Sequence, residues 1–195
     1  RTMGAGGEQV ALQVALDLGY RYVDDEIVIG AARAAGVSPE AIEGIEHADL
    51  GPLMRELERL AGPARGSERR EFAAGSVEPY GRLVQRVIED VANQGRAVIV
   101  AHGAGLHLVG RLDTLRVLIT GSVEGRAGRL ADRGQMPPDE ARRAVLEADG
   151  QRNAFLKRFY GIEREAPERY DMVVNTDIVM LPWAARAIAE VVRAS

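Results

Sequence analysis

Apolar and polar positions along the chain follow two periods, one helical and one extended. Residues 8–18, EQVALQVALDL, set Gln9, Gln13 and Asp17 on a single polar stripe four residues apart, with apolar positions around it. That spacing predicts a largely buried helix, stopped by Gly19. Tyr20–Val23 reads as a short strand, and Asp24-Asp25-Glu26 as the acidic start of a helix over 26–35 that ends at Gly36. Ser38-Pro39-Glu40 supplies a cap with proline at the first helical position. A further helix at about 49–61 ends at Gly62-Pro63. Residues 62–81 keep no period and are rich in Gly, Ser, Pro and charge, so they read as a mobile loop or insertion.

Leu83, Val84, Val87, Ile88 and Val91 share one face of a helix over 82–94. Three short, mostly apolar runs, 97–100, 115–119 and 172–175, have the character of buried parallel strands. Between the last two lie helices at about 123–133 and 138–159, the second entered through Pro137-Pro138-Asp139-Glu140. An amphipathic helix at 182–193 closes the pattern. Strands alternating with helices predict an α/β fold, a parallel sheet with helices on both faces. The three apolar runs are expected to be adjacent or nearly adjacent in it.

Length and composition narrow the picture. A chain of 195 residues with 46% hydrophobic and 28% charged residues is expected to form one domain and not a disordered tract. No apolar run reaches the roughly 20 residues of a membrane span, and no leader is visible, which predicts a cytoplasmic protein without a membrane partner. A net charge of -4 argues against a nucleic-acid partner. Without cysteine there is no disulfide, thiolate metal site or thiol nucleophile. Lys157 is the only lysine among 25 basic residues, so cationic work falls to arginine. A strand normally feeds a glycine cluster such as the one after Arg1, and one is expected upstream of it.

That cluster, Met3-Gly4-Ala5-Gly6-Gly7-Glu8, opens directly onto the first helix. Glycines admit close approach of a ligand, and a helix N-terminus offers free N–H groups and a favourable dipole, which together suit phosphate. A simple tight turn has the same composition. The pattern GxxxxGK[ST] is half met: with Gly6 as its second glycine, Arg1 falls on the first, Gly7 on the lysine and Glu8 on the Ser/Thr. Arg126, Arg129 and Arg133 sit at i, i+3 and i+7 and share a helix face. Taken alone, that face reads as a solvated arginine-rich surface. Asp24 and Asp25, taken alone, read as an ordinary acidic helix start. The spacing of His47, His102 and His107 is not that of a metal site, and none is expected.

Several blocks resemble, in order, the cytidylate kinase-like family of P-loop nucleoside monophosphate kinases. They are RTMGAGGEQVALQVALDLGYRYVDDEIV, GRAVIVAHGAGLHLVGRLDTLRVLITGSVEGRAGRL, EADGQRNAFLKRFYG and ERYDMVVNTD. In that branch a GSGG-type loop replaces the usual GSGKG. The resemblance implies a single P-loop kinase-like domain over 1–195, with an acceptor-binding insertion at 38–95 and a lid at 126–160. It places ATP on Gly4, Ala5, Gly6, Gly7 and Glu8, with Arg129 beside them. It places the acceptor near Asp24, Asp25 and His102. Asp149 and Arg152 match the family's D-x-x-R, and with Arg126 they are the implied catalytic groups.

The implied reaction is phosphoryl transfer from ATP, with Mg²⁺, to a nucleoside monophosphate, CMP or dCMP first. Positioning and guanidinium forks would carry the catalysis. Two departures stand against it: Gly7 at the lysine position, as in many members of this branch, and Ala101-His102-Gly103 where the family often has Gly-Arg. Uncompensated, they would leave a catalytically silent nucleotide-binding or regulatory module. The partners implied are nucleotides, and the oligomeric state is left open.

Overall fold

Helix α1, Gly7–Leu18, runs between two glycines in left-handed conformation, Gly6 (φ 80°) and Gly19 (φ 64°). The computed structural model to which it belongs describes residues 2–24, 78–100, 103–134 and 136–194. The helices expected over 26–35 and 49–61, the 62–77 part of the expected loop, Asp25 and His102 lie outside the described residues. At the end of α1 the Tyr20 N–H donates to the Ala15 carbonyl (2.9 Å), closing the helix. Strand β1 therefore begins at Arg21, one residue later than the apolar pattern predicts, and runs to Val23.

Helix α2 covers Glu78–Gln94. It starts four residues inside the stretch read as loop, because a proline in the first helical turn costs no hydrogen bond. Val84, Ile88 and Val91 are its buried face, as the periodicity predicts. Strand β2, Ala97–Ile99, pairs in parallel with β1, Arg21 opposite Ala97 and Val23 opposite Ile99. A four-residue helix, α3 (Ala104–His107), follows; it is too short to leave a periodic signal.

The second pair of strands is β3, Val117–Thr120, and β4, Met172–Asn175, also parallel and in register from Val117↔Met172 to Thr120↔Asn175. Leu115 and Arg116, expected to open this strand, fall outside it. The Arg116 N–H goes to the Asp171 carboxylate (2.8 Å) and not to a ladder. Between β3 and β4 come α4, Val123–Asp132, α5, Pro138–Tyr160, and a single 3₁₀ turn at Pro167–Arg169. Helix α6, Leu181–Ala194, ends the described chain.

Helices among parallel strands make this an α/β arrangement. Among the described residues β2 pairs with β1 and β3 with β4, and β2 is not hydrogen-bonded to β3. One core joins the two pairs: Val10 and Val14 of α1 pack with Val174 of β4 and with Ala184, Ala185 and Ile188 of α6. Val98, Val117 and Ile119 line the same cluster. A second cluster, Ala127 and Leu130 against Ala141 and Val145, holds α4 on α5. Burial of these side chains is worth roughly 1.5–3 kcal/mol for each of the larger ones.

Candidate functional site

The glycine loop is fixed by close approach. Gly4 (φ +76°) faces the backbone of α4 so nearly that a Cβ would lie 2.6 Å from the Arg126 carbonyl oxygen. A Cβ on Gly6 (φ +80°) would lie 2.7 Å from the Leu181 methyl groups. Glycine is required at both positions by conformation and by space. Ala5 is wholly buried, and its N–H donates to the Thr2 carbonyl at 3.1 Å. Gly7 differs: it begins α1 with room for a side chain, its nearest neighbour being Ile119 Cβ at 3.7 Å. A helix leaves its first-turn N–H groups without intrahelical partners, so the loop ends in donors at the positive end of the α1 dipole.

The shared arginine face of α4 turns toward this loop. Arg126 is buried; its Nη1 donates to the Met3 carbonyl (3.3 Å) and its Nε to the Gly121 carbonyl (3.0 Å). Arg129 Nε donates to the Gly4 carbonyl (2.8 Å) and Nη1 to the Thr176 carbonyl (3.0 Å). Arg133 reaches the side chain of Gln9 in the first turn of α1. Two successive loop carbonyls, which would repel an anion, are thereby covered by cationic donors.

Each of the first two arginines is backed by a carboxylate from another element. Asp149 of α5 takes Arg126 in a two-pronged pair, 2.8 Å to Nη1 and 2.6 Å to Nη2. Asp177, just after β4, accepts from the Ser122 N–H (2.6 Å) and from Arg129 Nη2 (3.2 Å). The Ser122 bonds, with Arg129 beside them, hold its carboxyl below the usual carboxylate range. Only glycines leave space for it, since a Cβ on Gly125 would lie 2.1 Å from Asp177 Oδ1.

Asp149 and Arg152 sit one turn apart on α5 but serve different neighbours. Arg152 pairs with Glu165, Nε to Oε2 at 2.6 Å and Nη2 to Oε1. The Tyr170 hydroxyl donates to that same Oε1. Burial raises the Glu165 pKa, but the bonds from Arg152 and Tyr170 outweigh it and hold the group ionised below its ordinary range. Burial and the ionised Glu165 push the Tyr170 phenol well above its ordinary value. At the far end of α5, Tyr160 Oη lies 2.7 Å from His107 Nε2, and burial lowers the pKa of that imidazole.

The structure thus brings Gly4, Ala5, Gly6, Gly7, Arg126, Arg129 and Asp149 together, and Glu8 stands exposed in the first turn of α1. Arg152 lies on the same helix as Asp149, turned to the 165–170 segment. Asp24 follows β1, with Tyr22 Oη 3.5 Å from its Oδ2. Sequence reasoning missed Glu165, Tyr170 and Asp177 as partners of these arginines. Asp177 was legible as the last residue of the Asn175-Thr176-Asp177 run, whereas Glu165 meets Arg152 only through a chain reversal that leaves no period. Among the described residues no three His, Asp or Glu side chains converge as a metal site.

The pattern of the cytidylate kinase-like family matches residues 1–178. The chain belongs to that family. Curated relatives are cytidylate kinases. That of Methanopyrus kandleri is 26% identical, over 77% of this chain and 83% of its own. That of Ignicoccus hospitalis is 27% identical, over 90% and 86%. A protein of Eubacterium ventriosum, solved by crystallography and uncharacterised, shares the fold with a TM-score of 0.65 at 15% identity, over 100% of this chain and 96% of its own. No helix among the described residues is long and apolar enough to cross a membrane.

Proposed function

We propose that this family member transfers the terminal phosphoryl group of ATP to a nucleoside monophosphate, with CMP or dCMP as the acceptor. The observation that carries the reading is the glycine loop held through its Met3 and Gly4 carbonyls by Arg126 and Arg129. A loop so held keeps its donors at the N-terminus of α1, where phosphate oxygens are bound best. The curated cytidylate kinases support the same activity. Mg²⁺ fits this reading because in phosphoryl transfer it draws most ligands from the nucleotide phosphates and water, with one or two carboxylates from the protein. When bound, it would neutralise charge on the transferring group. The chain's own part is to orient: α1 holds the phosphate chain, and arginines of α4 and α5 fix the loop and meet the developing charge.

A coupled ADP-release assay with ATP, Mg²⁺ and a panel of nucleoside monophosphates tests the reading. Turnover highest with CMP or dCMP is expected, and no turnover with any acceptor overturns it. One observation favours a silent nucleotide-binding module instead. Four N–H bonds of Arg126 go to protein acceptors, which leaves it little to offer a phosphate. ATP binding by calorimetry without turnover would establish that second reading.

A further inference from the structure

The two arginines matched to the catalytic positions are not equivalent in what they have left to give. Of the five N–H groups of a guanidinium, Arg126 spends four on protein acceptors. Arg152 gives Nε and Nη2 to Glu165, with the Tyr170 hydroxyl beside that same pair. Among the described residues its Nη1 edge meets no acceptor.

The carboxylate that holds Arg152 is itself anchored away from α5. The helix ends in a reversal in which the Gly161 N–H donates to the Lys157 carbonyl (3.1 Å) and the Ile162 N–H to the Leu156 carbonyl (3.2 Å), with Leu156 and Ile162 both buried. The reversal carries Glu165 back beside Arg152. Glu165 Oε1 also accepts from Tyr170, whose ring lies against α3: a Cβ on Gly105 would be 3.6 Å from Tyr170 Cε1. The next residue, Asp171, is clamped to the start of β3 by the Arg116 N–H (2.8 Å), Nε (3.0 Å) and Nη2 (2.6 Å). Glu165 and Tyr170 therefore belong to the frame of the β3–β4 pair, and Arg152 is aimed from that frame although it rides on α5.

We propose that Glu165 and Tyr170 are positioning residues that point the Nη1 edge of Arg152 at the transferring phosphoryl group. The proposal rests on the kinase reading above. Two bonds to one carboxylate leave a planar guanidinium a single orientation, and its opposite edge then presents two N–H donors in a fixed direction. Without Glu165 the positive charge remains but the direction is lost. Binding of the acceptor should survive that loss, and the chemical step should not.

The test is steady-state kinetics with ATP, Mg²⁺ and CMP on wild type, Glu165→Gln, Tyr170→Phe, Arg152→Ala and the Arg152→Ala/Glu165→Gln pair. Glu165→Gln should lower kcat about tenfold or more while the acceptor KM shifts by less than about twofold. Tyr170→Phe, which keeps the ring, should lower kcat in the same sense and serves if Glu165→Gln does not fold. Guanidinium chloride at about 20 mM should restore turnover to Arg152→Ala and fail to restore it in the double variant, where nothing orients the added ion. An unchanged kcat in Glu165→Gln or Tyr170→Phe, or equal rescue in both Arg152→Ala backgrounds, overturns the positioning role while leaving the kinase reading intact. Absence of wild-type turnover overturns the kinase reading itself, and the positioning role with it.

Discussion

At the scale of single residues, Arg126 is a strut before it is anything else. It is buried, ties α4 to the glycine loop, and meets α5 through Asp149. Arg126→Ala should cost about 3 kcal/mol, read by chemical denaturation, because it strands a carboxylate and a loop carbonyl together. Arg126→Lys should recover only part of that, since an ammonium cannot fork. The neighbouring glycines divide by the same reasoning. Gly6→Ala forces a methyl group to 2.7 Å from Leu181 at a positive φ and should destabilise by more than about 1 kcal/mol. Gly7→Lys meets only an ordinary contact at 3.7 Å, so its stability should lie within about 1 kcal/mol of wild type. If the protein is a silent binder, Gly7→Lys combined with His102→Arg should gain phosphoryl transfer in the coupled assay. An active enzyme should change little.

Among the described elements, α4 is placed across gaps that only glycines leave. Ser122 caps it by accepting from the Gly125 N–H (3.0 Å), and Asp177 reaches it only because Gly125 has no side chain. Gly125→Ala should displace Asp177, release Arg129 from its carboxylate and lower the thermal midpoint. The loss should be about 1–2 kcal/mol, the usual worth of a helix cap. Most of these elements were legible in the sequence, because the periods of α1, α4, α5 and α6 are set by burial and burial follows the chain. Their ends were less so: β1 starts after Tyr20 because that N–H closes α1, and β3 starts after Arg116 because that N–H goes to Asp171. The arginine face of α4 was legible as a face. What it points at was not, since the carbonyls of Met3 and Gly4 are backbone and carry no residue identity. Glu165 escaped notice for a related reason: its meeting with Arg152 depends on a turn at Gly161, not on a repeat.

Taken as a whole, the molecule should lose stability on acidification in two stages. Burial lowers the folded pKa of His107, so the unfolded chain takes up a proton first and stability declines as pH falls below 6.5, the ordinary imidazole value. His107→Gln should remove this stage from denaturation curves recorded between pH 7.5 and 5.5. Glu165 is likewise depressed, despite burial, by Arg152 and Tyr170, so its contribution is full above 4.5 and is lost as pH falls through its folded value. Glu165→Gln should flatten that lower stage. The composition adds an optical consequence. The sequence has one tryptophan and one lysine. Trp183 is 65% exposed on α6, two residues beyond the Leu181 that rests on Gly6. Lys157, its side chain 64% exposed, stands on α5. An amine-reactive acceptor dye on Lys157 makes the two an energy-transfer pair, a ruler from the glycine loop to α5 that requires no substitution in the chain.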